Sequence, residues 1–256
     1  MSEEYENKDH IKKTIIVTGG SRGIGKSIAK ELAELGFNIA ILYEKDSKAA
    51  EETAFEIEKD SGIECLTYQA SVADVTAINQ CVNDIECKGG KIYGLINNAG
   101  IIRDGFLMTM PENDWLSVIN TNLFGTFNCS KAVLPLMKKN GGGIIVNIAS
   151  ISGIKGEAAQ VNYSATKSAI VGFTRSLAVE LIEHSISVYA IAPGFIETEM
   201  VKVLSPKIVE NNIKNIPMHR FGKTDDIANI IRFIFKENPS YMQGHVFIPD
   251  GGLNCI

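Results

Sequence analysis

Tyr163 and Lys167 stand four residues apart in the stretch YSATK. On a helix that spacing puts a phenol and an ammonium on one face. A nearby positive charge favours phenolate and lowers a pKa otherwise near ~10. Such a tyrosine can give a proton to a ketone under reduction, or take one from an alcohol under oxidation, near neutral pH. The spacing also arises by chance, so the pair needs support from other residues. Ser150 closes the apolar run GIIVNIAS, where a strand would end at the ligand-facing edge of a sheet; its hydroxyl can hold a substrate oxygen, or merely cap a turn. The third feature is TGGSRGIG, Thr18 to Gly25. Gly19 permits a tight turn, Gly23 lets backbone amides approach a pyrophosphate, and Gly25 allows close packing of helix on strand. Its spacing is GxxxGxG rather than GxGxxG, and by itself it also suits a plain turn.

The elements that must position these groups alternate along the chain. Strands are expected at Thr14–Thr18, Asn38–Tyr43, Glu64–Gln69, Tyr93–Asn97, Gly143–Ala149, Ile186–Ile191 and His245–Pro249. Helical patterns lie near Gly23–Leu35, Lys48–Lys59, Val75–Lys88, Asn113–Lys139, Val161–His184 and Asp225–Lys236. Continuous apolar strands separated by helices predict an α/β fold: a doubly wound, Rossmann-type three-layer sandwich around a mostly parallel seven-stranded sheet, with its ligand site at the carboxyl ends of the strands. No linker or repeat divides the 256 residues. The reading is a loose acidic arm over 1–11 and one domain over 12–256.

Composition narrows the function. The net charge is −5, and the basic residues come only in short doublets such as Lys12-Lys13 and Lys138-Lys139, which argues against a nucleic-acid partner. There is no signal-peptide pattern and no run long enough to span a membrane, so a cytoplasmic location is expected. Cys65, Cys81, Cys87, Cys129 and Cys255 contain no CxxC pair, and His10, His184, His219 and His245 are far apart. Reduced thiols and no metal site are the expectation.

Over roughly residues 12–253 the chain resembles the short-chain dehydrogenase/reductase family. The resemblance rests on TGGSRGIG, NNAG (Asn97–Gly100), the NTNL segment with Asn122, Ser150, YSATK, and Pro193-Gly194. It implies Tyr163 as general acid/base, Lys167 as the group that lowers its pKa and binds the nicotinamide ribose, and Ser150 as the holder of the carbonyl oxygen. Asn122 would hold a water connecting Lys167 to the proton supply, although in the sequence it is only a polar residue interrupting a helix. Asn97 and Asn98, which could be turn residues alone, would support the cofactor and the central sheet. The cofactor surface so implied comprises Gly19, Ser21, Arg22, Gly23, Ile24, Gly25, Tyr43, Lys45, Ser71, Val72, Asn98, Ala99, Gly100, Pro193, Gly194, Ile196 and Thr198, together with Tyr163 and Lys167.

NADPH is expected over NADH. Tyr43 ends the second strand where NAD-preferring relatives carry an acid, and Arg22, assisted by Lys45, can pair with a 2′-phosphate. Glu44 opposes that reading. Ser71 stands where relatives often have Asp or Asn near the adenine, leaving Val72 to supply backbone contacts. The stretches NNAGIIRDGFLMTM and IKGEAAQVNYSATK are most similar to 3-oxoacyl-[acyl-carrier-protein] reductases and acetoacetyl-CoA reductases. Met200, Val203, Leu204, Ile208, Ile213 and Met218 suit a substrate lid near 194–218, or simple packing on the sheet. The neighbourhoods where fatty-acid reductases carry arginines for an acidic carrier protein hold Lys138, Lys139, Gly141 and His184 instead, which leaves CoA thioesters open. A sugar, polyol or steroid dehydrogenase is the alternative enzyme, and an inactive dinucleotide sensor the remote one. The family further implies a homotetramer through the Asn113–Lys139 and Val161–His184 helices.

Overall fold

The structure is a computed structural model that describes residues 13–198 and 206–255. The proposed arm, and Met200, Val203 and Leu204 of the proposed lid, lie outside the described residues. Seven strands form one sheet: β1 (Lys13–Thr18), β2 (Asn38–Tyr43), β3 (Cys65–Gln69), β4 (Lys91–Asn97), β5 (Gly143–Ile148), β6 (Ile186–Ile191) and β7 (Val246–Phe247). Their order is β3-β2-β1-β4-β5-β6-β7, and every pairing is parallel. The chain winds outward from β1 to β3, then returns across β1 to lay down β4 through β7. The switch point is therefore the crevice between β1 and β4, the place where open α/β sheets bind ligands.

Alternation along the strands sorts the core into two layers. Ile15, Val17, Ile39, Ile41, Ile144 and Val146 face one side of the sheet. Ile16, Ala40, Leu42, Leu95, Ile145 and Val188 face the other. The first side is covered by α1 (Gly23–Glu34), α2 (Ser47–Ser61) and the helix Thr224–Glu237. The second is covered by α3 (Val75–Cys87) and by the helices Gly125–Lys139 and Val161–Leu181. Because both faces are covered, β5 and β6 are buried at every position and read as continuous apolar runs rather than alternating ones. Starts and stops follow local chemistry. Asp46 caps α2 by accepting from Ala49 N–H at 3.0 Å, Asp74 caps α3 through Thr76 and Ala77, and Gly62 ends α2 at φ +69°.

The expected helix over Asn113–Lys139 is not continuous. It divides into α4 (Glu112–Val118), a π-helical turn over Ile119–Phe124, and α5 (Gly125–Lys139). A short helix α6 (Ser152–Lys155) follows Ser150, and the long α7 (Val161–Leu181) comes next. Beyond β6 lie α8 (Pro206–Asn215) and α9 (Thr224–Glu237). Among the described residues no helix is long and apolar enough to cross a membrane.

Candidate active site

Thr18 is the last residue of β1, and its hydroxyl ties the two sides of the crevice together. Its Oγ1 donates to Ile96 O at 3.2 Å and accepts from the N–H groups of Asn98 and Ala99, each at 3.0 Å. Asn98 returns the link, its Nδ2 donating to Thr18 O and Gly19 O at 3.0 and 3.1 Å. The glycine turn is thus fastened to the NNAG turn side by side. The turn has no room for side chains on its inner side. Gly19 is at φ +63°, and a Cβ on Gly25 would collide with Gly19 O and lie 2.6 Å from Asn98 Nδ2. Gly23, at φ +55°, looks across to Thr198, whose Cγ2 would be 3.6 Å from an added Cβ. Within α1, Arg22 contributes no side-chain cap, and helical bonding begins with Lys26 N–H donating to Arg22 O. The first amides of α1, those of Gly23, Ile24 and Gly25, therefore point out of the helix, where an anion is held best.

The other residues expected around a cofactor sit along the same edge. Ser21 is buried, its carbonyl accepting from Thr53 Oγ1 at 3.0 Å. Tyr43 is half-buried at the end of β2, while Arg22 and Lys45 are exposed. Val72 is buried against Gly125, and its carbonyl accepts from Asn128 Nδ2 at 3.0 Å; Ser71 beside it is half-buried. Pro193 is buried, its carbonyl accepting from Ile151 N–H at 2.9 Å. Gly194 presses on Asp250, where a Cβ would lie 2.9 Å from the backbone. Ile196 is buried and bridges to Gly222.

The proton-transfer candidates converge opposite the glycine turn. Lys167 is buried on α7, its Nζ donating to Ile148 O at the end of β5 at 2.7 Å. The same Nζ lies 5.5 Å from the centre of the Tyr163 ring. Ser150, two residues past the end of β5, has its hydroxyl bonded to the phenol and accepts from Ser152 N–H at 3.2 Å. Asn122 belongs to the π turn and is fully buried. Its Oδ1 accepts from Ile101 N–H at 2.8 Å, and its Nδ2 donates to Ile101 O at 3.0 Å and Thr166 Oγ1 at 3.3 Å. A Cβ on Gly100 would lie 3.2 Å from Asn122 Oδ1 and 3.6 Å from Lys167 Nζ, which shows how tightly the NNAG turn meets the tetrad.

Burial dominates the electrostatics here. It pushes the Tyr163 phenol up to about 12; the Ser150 hydrogen bond opposes the rise and the Asp104 carboxylate adds to it. Burial also pulls the Lys167 ammonium down to about 8. Helical spacing alone leads to the opposite expectation for the phenol, a value lowered by its lysine. In the cleft the loss of water outweighs that attraction, because desolvation penalises whichever form is charged. At pH 7 the phenol holds its proton and the lysine its charge.

Five residues that sequence reasoning passed over complete the wall. Asn162 is fully buried; its Nδ2 donates to Arg103 O at 2.9 Å and its Oδ1 accepts from Tyr163 N–H at 2.7 Å. Thr166 supplies the partner for Asn122. Gly153 brings α6 against α7, where a Cβ would meet the Lys167 backbone at 2.5 Å. Asp104 and Gln160 bond to each other beside the phenol. The Asn directly before Tyr163 and the Gly three residues past Ser150 were the available signals; for Asp104 and Gln160 there was none.

The short chain dehydrogenase family model matches residues 13–208. The chain belongs to the short-chain dehydrogenase family. Among curated relatives it is 41% identical over 241 residues to a 3-oxoacyl-[acyl-carrier-protein] reductase of Staphylococcus aureus, spanning 94% of this chain and 98% of that one. It is 40% identical to the reductase of the same description from Synechocystis, covering 93% and 95% of the two chains. A crystal structure from Sinorhizobium meliloti, described as a short-chain alcohol dehydrogenase, superposes with a TM-score of 0.90 at 35% identity, over 95% and 96% of the two chains. This short-chain dehydrogenase is an oxidoreductase whose cofactor is a nicotinamide dinucleotide. The residues present fit that group: a glycine cradle closed to any Cβ, outward amides at the start of a 12-residue helix, and a crevice at the switch point.

Proposed function

We propose that this short-chain dehydrogenase is a cytoplasmic homotetramer that reduces a 3-oxoacyl thioester to the 3-hydroxyacyl thioester with NADPH. The observation that carries the reaction is the meeting of Ser150, Tyr163 and Lys167 across the crevice from the glycine turn, with the phenol protonated. The cofactor supplies a hydride to the carbonyl carbon. Ser150 holds the carbonyl oxygen, and Tyr163 gives that oxygen its proton, so that the alkoxide never has to form free. Lys167 binds the ribose and, as an ammonium, steadies the phenolate left behind. Asn122 spends its amide on Ile101 and Thr166. A water passing protons to Lys167 would therefore be met by main-chain carbonyls loosened by the π turn rather than by this side chain.

NADPH is favoured by Tyr43 in place of an acid and by Arg22 and Lys45 standing exposed at the 2′ side of the ribose. Adenine contacts fall to Ser71 and the Val72 backbone, and the carboxamide side to Pro193, Gly194, Ile196 and Thr198. The 3-oxoacyl substrate is supported by the similarity to acyl-carrier-protein reductases over nearly the whole chain. Phe124, Phe127, Val179 and Ile182 expose apolar surface along α5 and the end of α7, which supports pairing of those helices between subunits. Lys138 and His184 line a groove between the same helices, while Lys139 is held by Glu86 at 2.6 Å. That modest basic surface suits CoA as well as a carrier protein.

The test is NADPH consumption with acetoacetyl-CoA and with acetoacetyl-acyl carrier protein, repeated with NADH. Turnover of either thioester, faster with NADPH, is expected. Turnover of a polyol with NAD+ and of neither thioester would overturn the assignment.

A further inference from the structure

The loop after β4 is fastened to the start of α7 on both sides of one acidic residue. Before Asp104, Arg103 O accepts from Asn162 Nδ2 at 2.9 Å. After it, Gly105 N–H donates to Ala159 O at 2.8 Å. Asp104 is thereby clamped beside residues 159–162, immediately ahead of Tyr163. A side-chain bridge completes the clamp. Gln160 bonds to the Asp104 carboxylate, and its Oε1 accepts from Ser152 Oγ at 3.1 Å. Ser152 N–H in turn donates to Ser150 Oγ at 3.2 Å. A chain of hydrogen bonds runs from the carboxylate round to the hydroxyl that would hold the substrate oxygen, with the phenol between its two ends.

We propose that Asp104 is a positioning residue that biases Tyr163 toward its protonated state, and so biases the enzyme toward reduction over oxidation; this rests on the assignment of Tyr163 as proton donor. A fixed negative charge beside a phenol disfavours phenolate. The groups facing Tyr163 then divide in two. Lys167 on its own helix and Ser150 from the end of β5 favour phenolate, and Asp104 from the loop after β4 opposes them. Arg103, the nearest cation in the chain, does not cancel the carboxylate, because its Nε is turned to Asp114 at 3.9 Å and its Nη1 donates to its own neighbour Ile102 O. Burial raises the Asp104 pKa while the Gln160 bond favours the carboxylate form. Nothing in this arrangement requires Asp104 to touch the substrate.

The experiment compares wild type with Asp104→Asn, which keeps an acceptor for Gln160 but removes the charge. Oxidation of 3-hydroxybutyryl-CoA by NADP+ depends on the phenolate fraction, so its kcat/KM climbs with pH until the phenol is titrated. In Asp104→Asn that climbing line should sit about threefold higher at each neutral pH, as for a phenol pKa lower by about half a unit. Reduction of acetoacetyl-CoA at pH 7 should hardly change. Asp104→Glu should restore the wild-type line, and added salt should narrow the gap. Superimposed lines, or equal slowing in both directions, would overturn the proposal. If wild type leaves the thioester untouched, the substrate assignment fails alone, and the same comparison on the alcohol that it does oxidise decides the role of Asp104. A chain that oxidises no alcohol overturns both.

Discussion

The glycine turn between β1 and α1 and the wall made by β5, the π turn and α7 face one cleft, yet they are made of opposite materials. The turn works through backbone, and its requirement is that side chains be missing: Gly25 cannot take even a methyl group against Gly19 and Asn98. The wall works through side chains that are present and dry. Asn122, Asn162, Thr166 and Lys167 are all buried, and each is matched to a partner. One region should fail when an atom is added, the other when an atom is removed. A protein can therefore bind its cofactor normally and be inert, or keep its chemistry intact and lack the cofactor.

The sharpest break is at Tyr163. Tyr163→Phe deletes one oxygen from the wall and should cut kcat by about a thousandfold, while NADPH affinity by fluorescence titration stays within about twofold. Lys167→Met tests the dry wall through stability. The folded lysine titrates at about 8 against an ordinary 10.5. Between those values the unfolded chain holds the proton that the native one has released, so stability rises with pH across that window. Denaturant melts should show wild type gaining about 3 kcal/mol over Lys167→Met from below pH 8 to above 10.5. Identical pH dependence in the two proteins would mean that the lysine is hydrated. On the turn, Gly25→Ala should weaken NADPH binding by at least about tenfold, since the turn or the helix must shift by more than a few tenths of an ångström. Gly62→Ala is the matched control: φ is +69° with open space around it. It should cost about 1 kcal/mol of stability and leave Kd and kcat alone.

The two regions were unequally legible in the sequence. The turn was readable because glycines leave a pattern, and β1 through β6 were readable because buried parallel strands are apolar runs. The all-parallel sheet and its switch point followed from alternation of strand and helix. Tyr163, Lys167 and Ser150 could be named from spacing and order. What could not be read is how these groups are held. The hydrophobic pattern of Asn113–Lys139 passes through residues 119–124 without a break, and a change from i,i+4 to i,i+5 bonding carries no composition of its own. The Asp104–Gln160 clamp comes from the path of a loop, which periodicity does not describe. The direction of the phenol shift was hidden for a related reason. Spacing says which groups meet, but not how much water remains around them.

The π turn has a geometric consequence of its own. An α-helix advances by about 100° per residue, so a turn that takes up one extra residue rotates everything after it by that angle relative to everything before. The halves on either side of Asn122 are thus out of phase, and the stripe that α5 lays on the sheet is not the continuation of the one on α4. Removing a single residue between Ile119 and Phe124 would heal the helix into one regular rod. It would also turn either the amide of Asn122 away from Ile101 or the apolar face of α5 away from β4 and β5. The irregularity is what lets a single segment satisfy two directions at once, one toward the core and one toward the proton path.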